Sequence, residues 1–90
     1  MRTKQIIEGL NNGQKFRFIL MANDGTEVGL TMTIQQMSDQ FATAAARTAV
    51  WMAIQKLAFM RVRAKRNGEL IPTGLVTDVP GFRQVQVDLH

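Results

Sequence analysis

The sequence predicts an α+β domain in which an antiparallel sheet of about four strands packs against one long helix, in the order ββαββ with a candidate short helix ahead of the first strand. Three observations lead there. Residues 15–22 and 83–89 alternate apolar and polar side chains over much of their length, as half-buried strands do. Each run faces a second one across a turn built from Asn, Asp, Gly or Pro. Between Thr33 and Asn67 the chain holds neither glycine nor proline.

At the N-terminus, residues 3–11 fit a short helix with Thr3 as cap, Ile6, Ile7 and Leu10 on one side and Asn12-Gly13 as stop, although Gly9 weakens it. Lys15 to Ala22 is rich in strand formers, Asn23-Asp24-Gly25-Thr26 reads as a turn, and Glu27 to Thr33 reads as the second strand of a hairpin. The period of two puts Phe16, Phe18 and Leu20 on one face of the first strand and Val28, Leu30 and Met32 on one face of the second. These six form the expected core face of the sheet.

At Thr33 the period changes. Thr33-Ile34-Gln35-Gln36 fits a capping box, with Ser38-Asp39 as a second candidate start, and the helical pattern runs to Arg66 before Asn67-Gly68 stops it. Beyond it, Gly74 to Asp78 and Arg83 to Leu89 read as a second hairpin around Val79-Pro80-Gly81-Phe82, where proline and glycine stand as a type II turn requires.

Placed on a wheel, residues 34–66 put Ile34, Met37, Phe41, Trp51, Met52, Phe59 and Val62 on one broad face, expected to cover the sheet. A separate arc collects Ala42, Ala45, Ala46, Ala49 and Ala53, adjoined by Val50, Ile54 and Leu57. A helix apolar nearly all round must be buried on more than one side, and small residues let two helix backbones approach closely. The alanine ridge is therefore the expected interface of a symmetric homodimer. The competing account makes the alanines simple helix formers covered by the N-terminal segment. A helix of that length would run about 50 Å, against a body about 30 Å across, so an end should overhang.

Ninety residues suffice for one core, and a single domain spanning 1–90 is expected. With no cysteine there is no disulfide, thiolate metal site or thiol nucleophile. The one histidine is the terminal His90, and the one serine, Ser38, has no base beside it and suits a cap better than a nucleophile. Glu8, Asp24, Glu27, Asp39, Glu69, Asp78 and Asp88 are scattered without metal-ligand or acid–base spacing. Asn23-Asp24-Gly25-Thr26 lacks the lysine and following helix of a phosphate loop. The sequence thus reads as a non-enzymatic binding protein with no catalytic residue, no metal and no cofactor.

The longest apolar run, Ala49 to Ile54, is far below the roughly 20 residues a bilayer needs, and Ile6-Ile7 alone cannot serve as a signal peptide core. A cytoplasmic protein without membrane contact is expected. A chain of this size suits an accessory protein of a phage or mobile element, a reading that rests on size alone.

The net charge is +4, from 11 basic and 7 acidic residues, and its distribution is uneven. No acidic residue lies between Asp39 and Glu69, and Arg61, Arg63, Lys65 and Arg66 crowd the helix end. These four are the candidate contacts to nucleic acid or another polyanion. The competing view is that cations simply favour the last turn of a helix. Phe82 alone is a candidate for an exposed ring, and on its proline–glycine turn it suits local packing better, so base stacking on the sheet is not expected, though Lys15, Arg17, Thr31 and Gln86 fit a mildly basic outer face. The alternative function is a protein–protein interaction module, an inhibitor, adaptor or assembly subunit, docking through an apolar helix face or a sheet edge.

Overall fold

The computed structural model describes residues 15–33, 36 and 40–89. The strands β1 (Lys15–Met21) and β2 (Glu27–Thr33) pair antiparallel, with Phe18 opposite Leu30. Their turn is closed by the Ala22 N–H donating to the Thr26 carbonyl (2.9 Å) and the Gly25 N–H to the Ala22 carbonyl (3.0 Å). Gly25 sits at φ 90°, a conformation open to glycine at little steric cost. Asp24 Oδ1 accepts from the Thr26 hydroxyl (2.7 Å) and amide (2.9 Å), and these bonds hold its carboxyl below the usual aspartate value.

The second hairpin joins β3 (Gly74–Thr77) and β4 (Gln84–Leu89). The expected turn is present, with the Phe82 N–H donating to the Val79 carbonyl (3.0 Å) and Gly81 at φ 92°. The hairpins meet through β1 and β4, which pair antiparallel with Phe18 opposite Val87 and Leu20 opposite Val85. The strand order is β2-β1-β4-β3, so the first and last described strands are central and β2 and β3 are edges.

The helix α1 (Ala44–Asn67) crosses the sheet on the β3 and β4 side. It starts later than either expected cap. Thr43, extended at φ −94° and ψ 149°, accepts the Ala46 N–H on its hydroxyl (3.1 Å), and residues 41–43 are not helical. The Arg47 guanidinium fastens this entry by donating from Nη1 to the carbonyls of Phe41 and Ala42, each at 2.9 Å. The Thr33 box keeps one of its bonds, the Thr33 N–H donating to Gln36 Oε1 (2.9 Å). The predicted stop holds: Gly68 at φ 68° donates to the Lys65 carbonyl, and the Glu69 N–H to the Ala64 carbonyl. The expected helix over 3–11, the start at Ser38-Asp39, and the positions of Ile34, Met37 and His90 lie outside the described residues.

Phe16, Phe18, Leu20, Met32, Val85 and Val87 are buried from the sheet side, and Ala46, Val50, Ala53, Ile54 and Leu57 from the helix. The helix face expected to cover the sheet is therefore corrected: Met52 is 61% and Phe59 50% exposed, while Trp51 and Val62 are half-buried. Within α1 both apolar sides satisfy the helical period, and the one that packs on the sheet carries Ala46, Val50, Ala53, Ile54 and Leu57. Phe41 is indeed fully buried, but from the entry segment, where its ring meets Phe18 (5.9 Å) and Phe82 (5.7 Å) edge-on. Those rings fill the space between the layers and leave room for small side chains on the helix. The core face of β2 is corrected as well. Met32 is buried and Leu30 half-buried, but Val28 is 52% exposed because the helix does not reach over the β2 edge.

Ile54→Ala or Leu57→Ala should lower unfolding stability by about 2–5 kcal/mol in denaturant titration, whereas Met52→Gln should stay within about 0.5 kcal/mol. Equal losses at Ile54 and Met52 would reverse the assignment of faces. For Asp24, a lowered native pKa means that its ionised form stabilises the hairpin above the unfolded-state value, an effect lost as pH falls through the native one. Thr26→Val should raise the Asp24 pKa toward its ordinary value in an NMR titration.

Candidate functional site

The helix runs antiparallel to β3. Ala49 and Ala53 lie beside Leu75–Asp78, and further along the Arg61 guanidinium donates from Nη1 to the Pro72 carbonyl (2.7 Å). Twenty-four helical residues span about 36 Å, and seven strand residues only about 23 Å, so the last turns of α1 pass beyond the sheet. The returning segment lies against those turns, where Glu69 and Pro72 line a depression with Met60, Arg63 and Ala64. Ala64 is buried there, apart from the main core.

This topology sorts charge along the molecule. Among the described residues, the end where β1 begins and α1 finishes carries Lys15, Arg17, Arg61, Arg63, Lys65 and Arg66 against Glu69 and Asp88. The opposite end carries Asp24 and Glu27 around the first turn and Asp78 after β3, with Arg83 and, at the start of α1, Arg47 among them. Cations contributed by the start of β1 and the end of α1 thus gather at one pole. Such a dipolar distribution steers anions to that pole.

The four expected cations divide by role. Arg61 is half-buried and tied to the Pro72 carbonyl, so its guanidinium locks the helix to the return segment. Arg63, Lys65 and Arg66 are exposed, and no carboxylate among the described residues pairs with them. Lys65 and Arg66 also lie in the last helical turn, where the macrodipole favours cations.

Two further side chains were missed by sequence reading. Phe59 is half exposed on the solvent side of α1, and Lys56 is exposed close by. At 100° per residue, Lys56, Phe59, Arg63 and Arg66 fall within about 80° of the wheel and along about 15 Å of helix. An aromatic ring thus stands in a row of cations on one exposed face. The wheel of residues 34–66 already placed Phe59 and Met52 together, and only their direction was wrong. Phe82, the one candidate for an exposed ring and better read as local packing, is half-buried against Phe41.

The alanines of the expected dimer ridge do not share one free face. Ala46 and Ala53 are buried in the chain's own core, Ala49 packs against it, and Ala42 and Ala45 are exposed. On the outer sheet face, Arg17 stands opposite Thr31 on one side and Asp88 on the other. Gln86 Nε2 donates to both Asp88 carboxylate oxygens at 3.1 Å. Gly29 leaves room for the Arg17 guanidinium, since a Cβ there would sit 2.7 Å from Nη2.

Among the described residues, no group of three or more His, Asp or Glu side chains comes together to hold a metal ion, and no polar side chain is buried. Nor, among them, is any helix long and apolar enough to cross a membrane.

Arg61→Gln should cost about 1 kcal/mol of stability through loss of the bond to Pro72, while Arg63→Gln and Arg66→Gln should leave unfolding stability within about 0.5 kcal/mol. Equal stability losses at all three positions would refute this division of roles. Comparison with protein-family models, with curated proteins and with solved structures finds no match to this chain.

Proposed function

We propose that this protein is a non-enzymatic binding protein that takes nucleic acid with accessible bases on the exposed face of α1. Lys56, Arg63 and Arg66 meet phosphates, Lys65 adds charge at the flank, and Phe59 offers its ring to a base. The observation that supports this most is the exposed ring held in a row of cations, the pairing of stacking platform and backbone contact that single strands need. The segregation of Asp24, Glu27 and Asp78 to the far pole adds to it. Arg61 takes part indirectly, by fixing the helix end.

One observation favours a second reading. Met52, Phe59 and Met60 on the helix are exposed, and Leu70, on the return segment, is 96% exposed. Apolar groups concentrated there fit a protein–protein interaction module docking through the helix. Salt separates the two readings, since release of counterions from phosphates makes nucleic-acid affinity fall with ionic strength and apolar docking lacks that dependence.

Fluorescence anisotropy with a labelled mixed-sequence single strand is the test. Three phosphate contacts give an expected slope of log K against log salt of about −2, and Arg63→Gln with Arg66→Gln should reduce it by about 1.4. Phe59→Ala should weaken binding by about 1–3 kcal/mol with the slope unchanged. No binding at low salt, or binding indifferent to all three substitutions, would overturn the proposal.

A further inference from the structure

We infer that two copies of this chain join edge to edge through β2, extending the sheet across a two-fold axis at Leu30. The surface involved lies across the sheet from β3, beside which the helix runs, so the inference stands independently of the nucleic-acid reading.

The two edges of the sheet differ sharply. β3 is four residues long, with Pro72 just before it and Asp78 just after it, features that discourage further pairing. β2 has seven residues, no proline, no lysine and one charge, Glu27. Exposed strands of that kind are templates for another strand.

The hydrogen-bonding phase tells which groups β2 leaves open. In an antiparallel pair, residues alternate between turning their backbone groups toward the neighbour and away from it. The Ala22 N–H bonds the Thr26 carbonyl, so Val28, Leu30 and Met32 follow in the same phase and face β1. Glu27, Gly29, Thr31 and Thr33 then direct their amides and carbonyls outward. The Thr33 N–H agrees with this phase, since it is the one met from outside, by Gln36 Oε1. Among the described residues, nothing bonds the outward groups of Gly29 and Thr31, which remain as the open stretch between the strand ends.

The strand is complementary to itself in the register centred on that stretch. Centred on Leu30, an antiparallel second copy sets Gly29 against Thr31, where each pairing exchanges both of its backbone bonds. Leu30 meets Leu30 of the second copy and Val28 meets its Met32, both on the inner face, which gives the exposed Val28 an apolar neighbour. Glu27 falls towards Thr33 of the second copy, whose outward backbone groups Gln36 already holds, rather than opposite its own symmetry mate, so the only charge of the strand is not repelled. This is an isologous contact that closes at two copies.

The full chain should sediment at twice its monomer mass. Val28→Lys, which places a charge at an already exposed site, and Thr31→Pro, which removes an outward amide, should each return it to the monomer with the far-UV spectrum retained. Val76→Lys on the opposite edge should leave the doubled mass. A crosslink reads the register directly. The chain has no cysteine, and Leu30→Cys would lie opposite itself at a Cα separation of about 4.5 Å, within disulfide reach. It should crosslink on mild oxidation several-fold faster than Val28→Cys, whose mate lies several residues away. A monomeric parent chain, a folded Val28→Lys variant that keeps the doubled mass, or equal crosslinking at positions 28 and 30 would each overturn the inference.

Discussion

The pairing of β1 with β4 is the constraint on which the remaining structure depends. Each hairpin is local in sequence, but neither alone has two covered faces, and a lone two-stranded hairpin is marginal in water. When Phe18 is set opposite Val87 and Leu20 opposite Val85, four apolar side chains come together on one face at the centre of the sheet. Phe41 then closes over Phe18 and stacks edge-on with Phe82, tying the helix entry and the second turn to the same point. The aromatic chain from Phe16 to Phe82 thus links the sheet, the entry segment and the turn in one packed unit.

That aromatic layer also decides what the helix presents to solvent. With the space beneath it largely filled by rings, α1 approaches through Ala46, Val50, Ala53, Ile54 and Leu57, and the small alanines allow the approach. Its bulkier residues Met52 and Phe59 are turned outward, onto the same side as Lys56, Arg63 and Arg66. The Arg61 bond to Pro72 holds the far end of the helix while its neighbours stay free. The proposed binding face is therefore a by-product of how the core is filled, since the residues left over are one ring, several cations and exposed methionines. The same offset placement of the helix leaves β2 poorly covered, which is where the inferred self-pairing arises.

Local chemistry was legible wherever one short stretch of chain carries the whole signal. Asn23-Asp24-Gly25-Thr26 and Val79-Pro80-Gly81-Phe82 form the turns their residues demand, because φ and side-chain bonding are settled within four residues. Strand alternation likewise marked Phe16, Phe18, Leu20, Val85 and Val87, and Asn67-Gly68 marked the end of the helix. The helix start was ambiguous since Thr33 and Ser38 both have cap chemistry, whereas the structure caps the helix at Thr43 through its bond from Ala46 and fastens that entry by the Arg47 bonds to the Phe41 and Ala42 carbonyls.

By itself, then, the sequence determined the α+β class, the two hairpins, one long helix and a crowd of cations at its end, all consequences of local periodicity and turn geometry. Tertiary structure decided which apolar side of the helix is buried, because both sides satisfy the same period and the choice turns on the volume already occupied by the phenylalanine rings. It also decided that Arg61 is a tie rather than a free cation, that Phe59 rather than Phe82 is exposed, and that Lys15 joins the basic pole. Each of these depends on residues far apart in the chain being brought together, and no window of sequence contains that information.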